Sequence, residues 1–243
     1  MIIGILECWT NRSEWVEEHG DFADWFPPFL RQARSDLDFQ VFHAHLGDLP
    51  ICSDLCDGWL VTGSSAGVND DLPWQHPLIK FLRECRGIRP VIGVCYGHQL
   101  LHSMYGGVVE KASGWGVGRH SYQVLDDQFD GLTELHLLAS HQDQVVKPAS
   151  DSRILAGSSF CPIAATEIGD DIITIQPHPE LTPALARKIY SARREVQGDD
   201  LTRRALASIH APIDDAAIAH WMVSYVRRVT AAEKETSLSI VAQ

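Results

Sequence analysis

The chain of 243 residues lacks most of the features that mark a special class of protein. No window approaches the roughly 18 uninterrupted apolar residues that a membrane helix needs. The opening "MIIGILE" is apolar but short and reaches Glu7 at once, with no basic residue ahead of it. It therefore reads as a strand and not as a secretory signal. Basic residues are scarce: 20 Lys and Arg stand against 32 Asp and Glu, a formal net charge of -12. Such a chain repels phosphate backbones, so nucleic acid is not an expected partner. No block of like charge forms an interaction tail. The six cysteines (Cys8, Cys52, Cys56, Cys85, Cys95 and Cys161) are scattered and read as reduced thiols, not as a disulfide framework. The nearest approach to a metal-ligand set is "HAH" at 43–45 with Cys52 and Cys56. A single C-x-x-x-C with no second paired motif is weak, and packing explains these residues better. There is no G-x-x-x-x-G-K-[ST] phosphate loop and no nucleotide fingerprint. The expectation is a cytoplasmic protein with no metal, no cofactor and no membrane contact.

What is present is an ordinary globular composition, 45% hydrophobic and 21% charged, with a clear alternation of elements. "MIIGIL", "FQVFHA", "DGWLVTG" and "RPVIGVC" read as buried strands. The last has no polar alternation, as a central parallel strand covered on both faces requires. Between them the patterns predict a short helix from about Pro28, a helix over "PWQHPLIKFLREC", and a helix over "YGHQLLHSMYGG" closed by glycines. The middle of the chain changes character. "GVGRHSYQVL", "LHLLAS", "QVV", "ILAGSS", "IAATEIG" and "DIITIQ" are short runs rich in Val, Ile and Thr, expected as strands in hairpins or at a sheet edge. "GWGVG" at 114–118 reads as a turn. "TPALARKIYSARREV" and "DDAAIAHWMVSYVRRVT" are predicted helices, the first capped by Thr182 with Pro183 at its first position. Charge alternation in "ARREVQGDDLTRRALAS" predicts a solvated face. Trp221, Met222 and Tyr225 are expected in the core. The whole predicts one α/β domain over 1–232, a parallel sheet with helices on both faces and a β-rich insertion, followed by a loose tail over 233–243.

One stretch raises a chemical question. In "GVCYGHQ", residues 93–99, Cys95 stands between an apolar strand and a helix. A buried packing role is the ordinary fate of a free cysteine. The position argues for more. A residue at this turn is presented at the carboxyl end of the sheet, where open α/β sheets place their sites. Gly93 and Gly97 permit close backbone approach. The helix that follows aims unpaired N–H groups and its positive dipole end at the sulfur, which favours a thiolate. The Tyr96 N–H could stabilise an oxyanion. A cysteine nucleophile needs a base, and the base an orienting group. "TIQPHPEL" offers both. His178 follows a strand run, and Glu180, two residues on, leaves an extended segment on the same side. Pro179 holds His178 extended.

The ordered pair "GVCYGHQ" and "HPE" on this α/β pattern resembles the class I glutamine amidotransferases. The resemblance spans about residues 1–195 and includes "TGSSAGVND", "GWGVGRHSYQV" and "ASHQDQV". It is similar to stand-alone members related to the GMP synthase glutaminase domain and to γ-glutamyl peptidases. The resemblance implies a flavodoxin-like three-layer sandwich with a mostly parallel central sheet. It implies attack by cysteine on the side-chain amide carbon of glutamine, a γ-glutamyl thioester, loss of ammonia, and hydrolysis by water. Carried over by position, Cys95 is the nucleophile, His178 the general base and acid, and Glu180 its orienter. Gly63 and Ser64 supply the second oxyanion N–H beside that of Tyr96. Gln99 holds the amino-acid end of the substrate, with Ser140, His141 and Gln142 nearby.

Two departures stand out. Thr62-Gly63-Ser64-Ser65 replaces the Gly-Gly-Pro of many members, and Pro177 precedes the histidine where glycine is common. Neither removes a candidate catalytic side chain. No synthase domain accompanies the triad, so transfer of ammonia to an acceptor would need a partner chain. Otherwise the protein acts alone on glutamine or on a γ-glutamyl peptide. A catalytically silent binding module, and a cysteine hydrolase of the related stress-protein type, are the competing readings on the same fold.

Overall fold

The structure is a computed structural model that describes the backbone of residues 1–11 and 13–241 and the side chains of residues 1–11 and 16–232. The first half alternates strand and helix: β1 (Ile2–Leu6), α1 (Ser13–His19), α2 (Phe26–Leu30), β2 (Asp38–Phe42), β3 (Gly58–Val61), α3 (Gln75–Cys85), β4 (Val91–Val94) and α4 (Tyr96–Met104). Strands then dominate: β5 (Val108–Val124), β6 (Glu134–Lys147), β7 (Ser152–Gly157), β8 (Ala165–Ile168) and β9 (Ile172–Ile175). Helices close the chain: α5 (Pro183–Ala192), α6 (Arg194–Gln197), α7 (Asp199–Ser208) and α8 (Asp215–Val241). The loose tail expected over 233–243 falls on residues whose side chains lie outside the described set.

The nine strands among the described residues form one sheet in the order β2-β1-β3-β4-β9-β8-β7-β5-β6. The pairings from β2 through β9 are parallel. Those from β9 through β6 are antiparallel. The expectation of a mostly parallel sheet is therefore corrected. The β-rich segment continues the same sheet as its antiparallel half, because β9 pairs with β4 on one edge and β8 on the other.

Periodicity places the core. β3, β4 and β9 are buried at every position, as strands between two helical layers must be. Ile3, Ile5, Leu60, Ile92 and Val94 face Phe26, Phe29 and Leu30 of α2 and Met222 and Val226 of α8. The alternate residues Leu6, Trp59, Val61 and Val91 face Leu78, Phe81 and Leu82 of α3 and Leu100 and Leu101 of α4. These are the three layers. Trp221 and Tyr225 are also buried, as expected.

Two strand expectations need correction. "LHLLAS" and "QVV" are one strand, β6, because the polar "HQDQ" between them stays in the ladder with β5. "GWGVG" lies inside β5 at a register shift between Lys111 and Gly116, a bulge and not a turn. The charged helix pair has two sides. Arg194–Asp199 and Arg203–Asp200 face solvent. Thr202 and Ala205 are buried, and Ser208 Oγ accepts from the Arg119 N–H of β5 at 2.9 Å.

Candidate active site

β4 ends at Val94, and Cys95 turns the chain into α4 with φ 52° and ψ -98°. That positive φ is rare for a residue with a Cβ and is held by its surroundings. The Cys95 N–H donates to Ile175 O at 2.9 Å, tying the turn to β9. Both flanking glycines are required by close packing. A Cβ on Gly97 would lie 2.5 Å from Val61 O, and one on Gly93 would lie 2.6 Å from the Gly97 backbone. The helix therefore starts against the strands, with Cys95 at its head and its first-turn amides, Tyr96 N–H among them, free of intrahelical acceptors. α4 is pinned from below by a buried polar chain. The Ala149 N–H donates to His102 Nδ1 at 3.0 Å, so neutral His102 donates from Nε2 to Thr166 Oγ1. Thr166 pairs with Thr174 at 2.6 Å, and Thr174 with His98 Nδ1 at 2.7 Å. Burial pulls both histidines well below their ordinary range, so they belong to the core.

The "HPE" segment leaves β9 beside this turn. The His178 N–H donates to Leu138 O of β6 at 2.8 Å, which locks the segment to the antiparallel half. His178 Nδ1 and Glu180 Oε1 are 2.6 Å apart, both side chains buried. Burial alone would favour the neutral imidazole. The Glu180 carboxylate, the charge of a Cys95 thiolate and hydrogen bonds to both outweigh it and raise His178 to about 10. The structure thus brings Cys95, His178 and Glu180 into one chain of contacts.

The other predicted residues surround Cys95. Gly63 adjoins both partners, since a Cβ on it would lie 3.0 Å from His178 Cε1 and 3.8 Å from Cys95 Cβ. The substituted loop is braced by its own side chains. The Ser64 hydroxyl donates to Cys8 O and accepts from the Ala66 N–H, each at 3.0 Å. The Thr62 hydroxyl accepts from the Cys8 N–H at 3.0 Å and donates to Gly63 O at 2.9 Å. Ser64 is not among the residues with positive φ, so serine is accommodated without strain. Gln99 is held by bonds from its Nε2 to Asp143 O and Gln176 Oε1, at 2.8 and 3.0 Å. His141 is buried, and burial with the nearby His178 charge pushes it down to about 3. Gln99, His141 and Gln142 line one cavity.

Two cavities meet at Cys95 and share Ser64, Ser65, Ser140 and Arg193. One, of about 450 Å³, is polar, with Asp70, Gln99, Lys111, Gln142 and Asp143 on its walls. The other, of about 440 Å³, carries His178 and an apolar wall of Trp9, Phe22, Trp25, Leu181 and Ile189. Sequence reasoning missed this second wall and Arg193. Phe22 and Trp25 sit on a short 3-10 turn after Asp21, whose carboxylate and that of Asp24 form a capping box. That box was the signal available in "GDFADW". Arg193 follows α5, donates to Ser140 Oγ at 3.0 Å and lies 5.8 Å from the Trp115 ring centre. The histidines at 43 and 45 are used elsewhere. His43 Nδ1 pairs with Glu7 Oε2 at 2.6 Å, and His45 Nε2 with Thr10 Oγ1 at 2.5 Å.

Residues 47–194 match the family Glutamine amidotransferase class-I. Gamma-glutamyl peptidase 3 of Arabidopsis thaliana is 28% identical over 188 residues, which is 70% of this chain and 74% of that one. A glutamine-hydrolyzing GMP synthase subunit from Methanothermobacter thermautotrophicus is 38% identical over 96 residues, 38% of this chain and 52% of that one. The crystal structure of a glutamine amido transferase from Methylobacillus Flagellatus superposes with a TM-score of 0.70 at 22% identity, covering 94% of both chains. That likeness supports the flavodoxin-like α/β fold. The family match runs through both the Cys95 elbow and the His178-Pro179-Glu180 segment, and the chain belongs to the class I glutamine amidotransferase family.

Proposed function

We propose that the protein hydrolyses a γ-glutamyl amide through a thioester on Cys95. The observation that carries this reading is the strained Cys95 elbow beside a buried His178 held by Glu180 at 2.6 Å. Cys95 Sγ attacks the side-chain carbonyl carbon, and the oxyanion is met by the Tyr96 N–H and by an N–H of the Gly63–Ser64 loop. His178, raised to about 10, enters as an imidazolium and gives its proton to the departing nitrogen. The C–N bond breaks and the amine leaves. Water then attacks the thioester while His178 takes its proton. The C–S bond breaks, glutamate is released, and the starting pair of Cys95 and His178 is restored. Glu180 holds the imidazole in the productive tautomer and stabilises its charge. Gln99, Ser140, His141 and Gln142 form the side that receives the glutamyl end. One sheet running from β1 through β9 supports a single domain over 1–232.

Glutamate and ammonia released from glutamine, and glutamate released from γ-glutamyl dipeptides, test the reading with the protein alone. Turnover that vanishes in Cys95→Ala is expected. Undiminished turnover in that variant contradicts it. A second reading has specific support in the similarity to a GMP synthase subunit. In it the ammonia passes to an acceptor on a synthase partner chain. Glutamine turnover that appears only on adding such a chain would favour it.

A further inference from the structure

The position of the general acid decides which cavity takes which end of the substrate. The nitrogen that leaves must face His178, and His178 lines the apolar cavity and not the polar one. The amine side of the scissile bond therefore points into the cavity of about 440 Å³ walled by Trp9, Phe22, Trp25, Leu181 and Ile189. Ammonia leaves nearly all of that space unfilled, whereas a large apolar side chain removes it from water. The aromatic wall is firm, since the Phe22 and Trp25 rings lie 4.7 Å apart and Trp25 Nε1 donates to His19 O at 2.9 Å.

A charge sits where the cavities join. The Arg193 guanidinium donates to the Ser140 hydroxyl and lies over the Trp115 ring, and the charges that favour it are those of Cys95 and Tyr190, with no carboxylate among these described partners. Burial works against its charge. A half-buried cation without a carboxylate gains most from a ligand that brings one. The polar cavity already holds Asp70, Asp143 and Lys111, which suit the amino and carboxylate groups of the glutamyl end. Arg193 lines both cavities and stands where they join, within reach of a carboxylate on the amine side as well.

We infer that the protein is selective for γ-glutamyl peptides whose second residue is a large apolar amino acid with a free carboxylate, held by the aromatic wall and Arg193. This rests on the hydrolase reading above. The test is the rate of glutamate release from γ-glutamyl-phenylalanine, its C-terminal amide, γ-glutamyl-glycine and glutamine. A kcat/KM for γ-glutamyl-phenylalanine at least about tenfold above that for γ-glutamyl-glycine is expected of a filled apolar pocket. Trp9→Ala, at a half-buried position, should shrink that ratio about threefold or more. The free acid should be preferred over its amide by about tenfold, and Arg193→Met should erase that preference. Turnover of glutamine and γ-glutamyl-glycine with no gain for phenylalanine overturns the inference and leaves the hydrolase reading standing. An Arg193→Met enzyme with the wild-type ratio of acid to amide overturns the role given to Arg193. Turnover of none of the four by folded protein, with no acyl group on Cys95, overturns both the inference and the reading beneath it.

Discussion

The two halves of the sheet contribute differently to the site. The parallel half brings Cys95 from β4 and His178 from the end of β9, two strands that pair directly. Its positions are tight: a Cβ on Gly97 would meet the backbone of β3 at 2.5 Å. The antiparallel half supplies β6, which carries Ser140, His141 and Gln142 and grips His178 through Leu138. The parallel half thus carries the proposed nucleophile and base, while β6 of the antiparallel half adds side chains that receive the glutamyl end. Substitutions of Cys95 or its partners should lower kcat, and substitutions of the β6 residues should raise KM.

The largest expected effect is that of Cys95→Ala, a loss of at least about 10⁴-fold in kcat/KM with the circular dichroism spectrum unchanged. Next is Glu180→Gln, which should lower kcat about 100-fold and also change stability. His178 is raised from 6.5 to about 10 in the folded protein. Its paired charge therefore contributes stability that is complete below about pH 6.5 and is lost as the pH rises toward 10. Without the Glu180 carboxylate, denaturant midpoints between those pH values should fall less steeply than in the wild type. If both proteins show the same slope, Glu180 does not set the state of His178.

Smaller effects sharpen the comparison. Gly97→Ala should cost about 1–3 kcal/mol in urea unfolding, because strand backbone cannot move aside. Gly114→Ala, on the bulge of β5 with nothing within 4 Å of the added Cβ, should stay within about 0.5 kcal/mol. Equal costs would mean that the two halves are packed alike. Gln142→Ala should raise KM about threefold to tenfold with kcat nearly unchanged, read from initial rates across substrate concentrations.

The parts that were legible in the sequence are those encoded by contiguous residues. The Cys95 elbow needs a strand, a turn and a helix in sequence, with glycine where backbones touch, and "RPVIGVCYGHQLL" contains all of it. "HPE" likewise fixes base and orienter two residues apart. The antiparallel half was harder to read because β6 keeps polar residues inside the ladder. His141 and Gln144 are buried there, so the alternation that marks a strand is broken. The bulge in β5 hid the continuity of "GWGVG" for the same reason. The apolar wall was legible only in the capping box of "GDFADW". Trp9 follows β1, Phe22 and Trp25 sit on the 3-10 turn and Ile189 on α5, and Arg193 is one arginine in a charged helical run.

The most direct measurement is the site of covalent modification by a glutamine-derived electrophile, located by mass spectrometry. The other five cysteines are controls within the same chain. Burial pushes Cys56 up to about 11 and Cys85 and Cys161 up to about 12, and pushes Cys8 up further. The neighbouring Asp54 raises the exposed Cys52. The account predicts a single adduct, on Cys95, that is absent from Cys95→Ala. Labelling at another cysteine, or undiminished labelling in the variant, would contradict it.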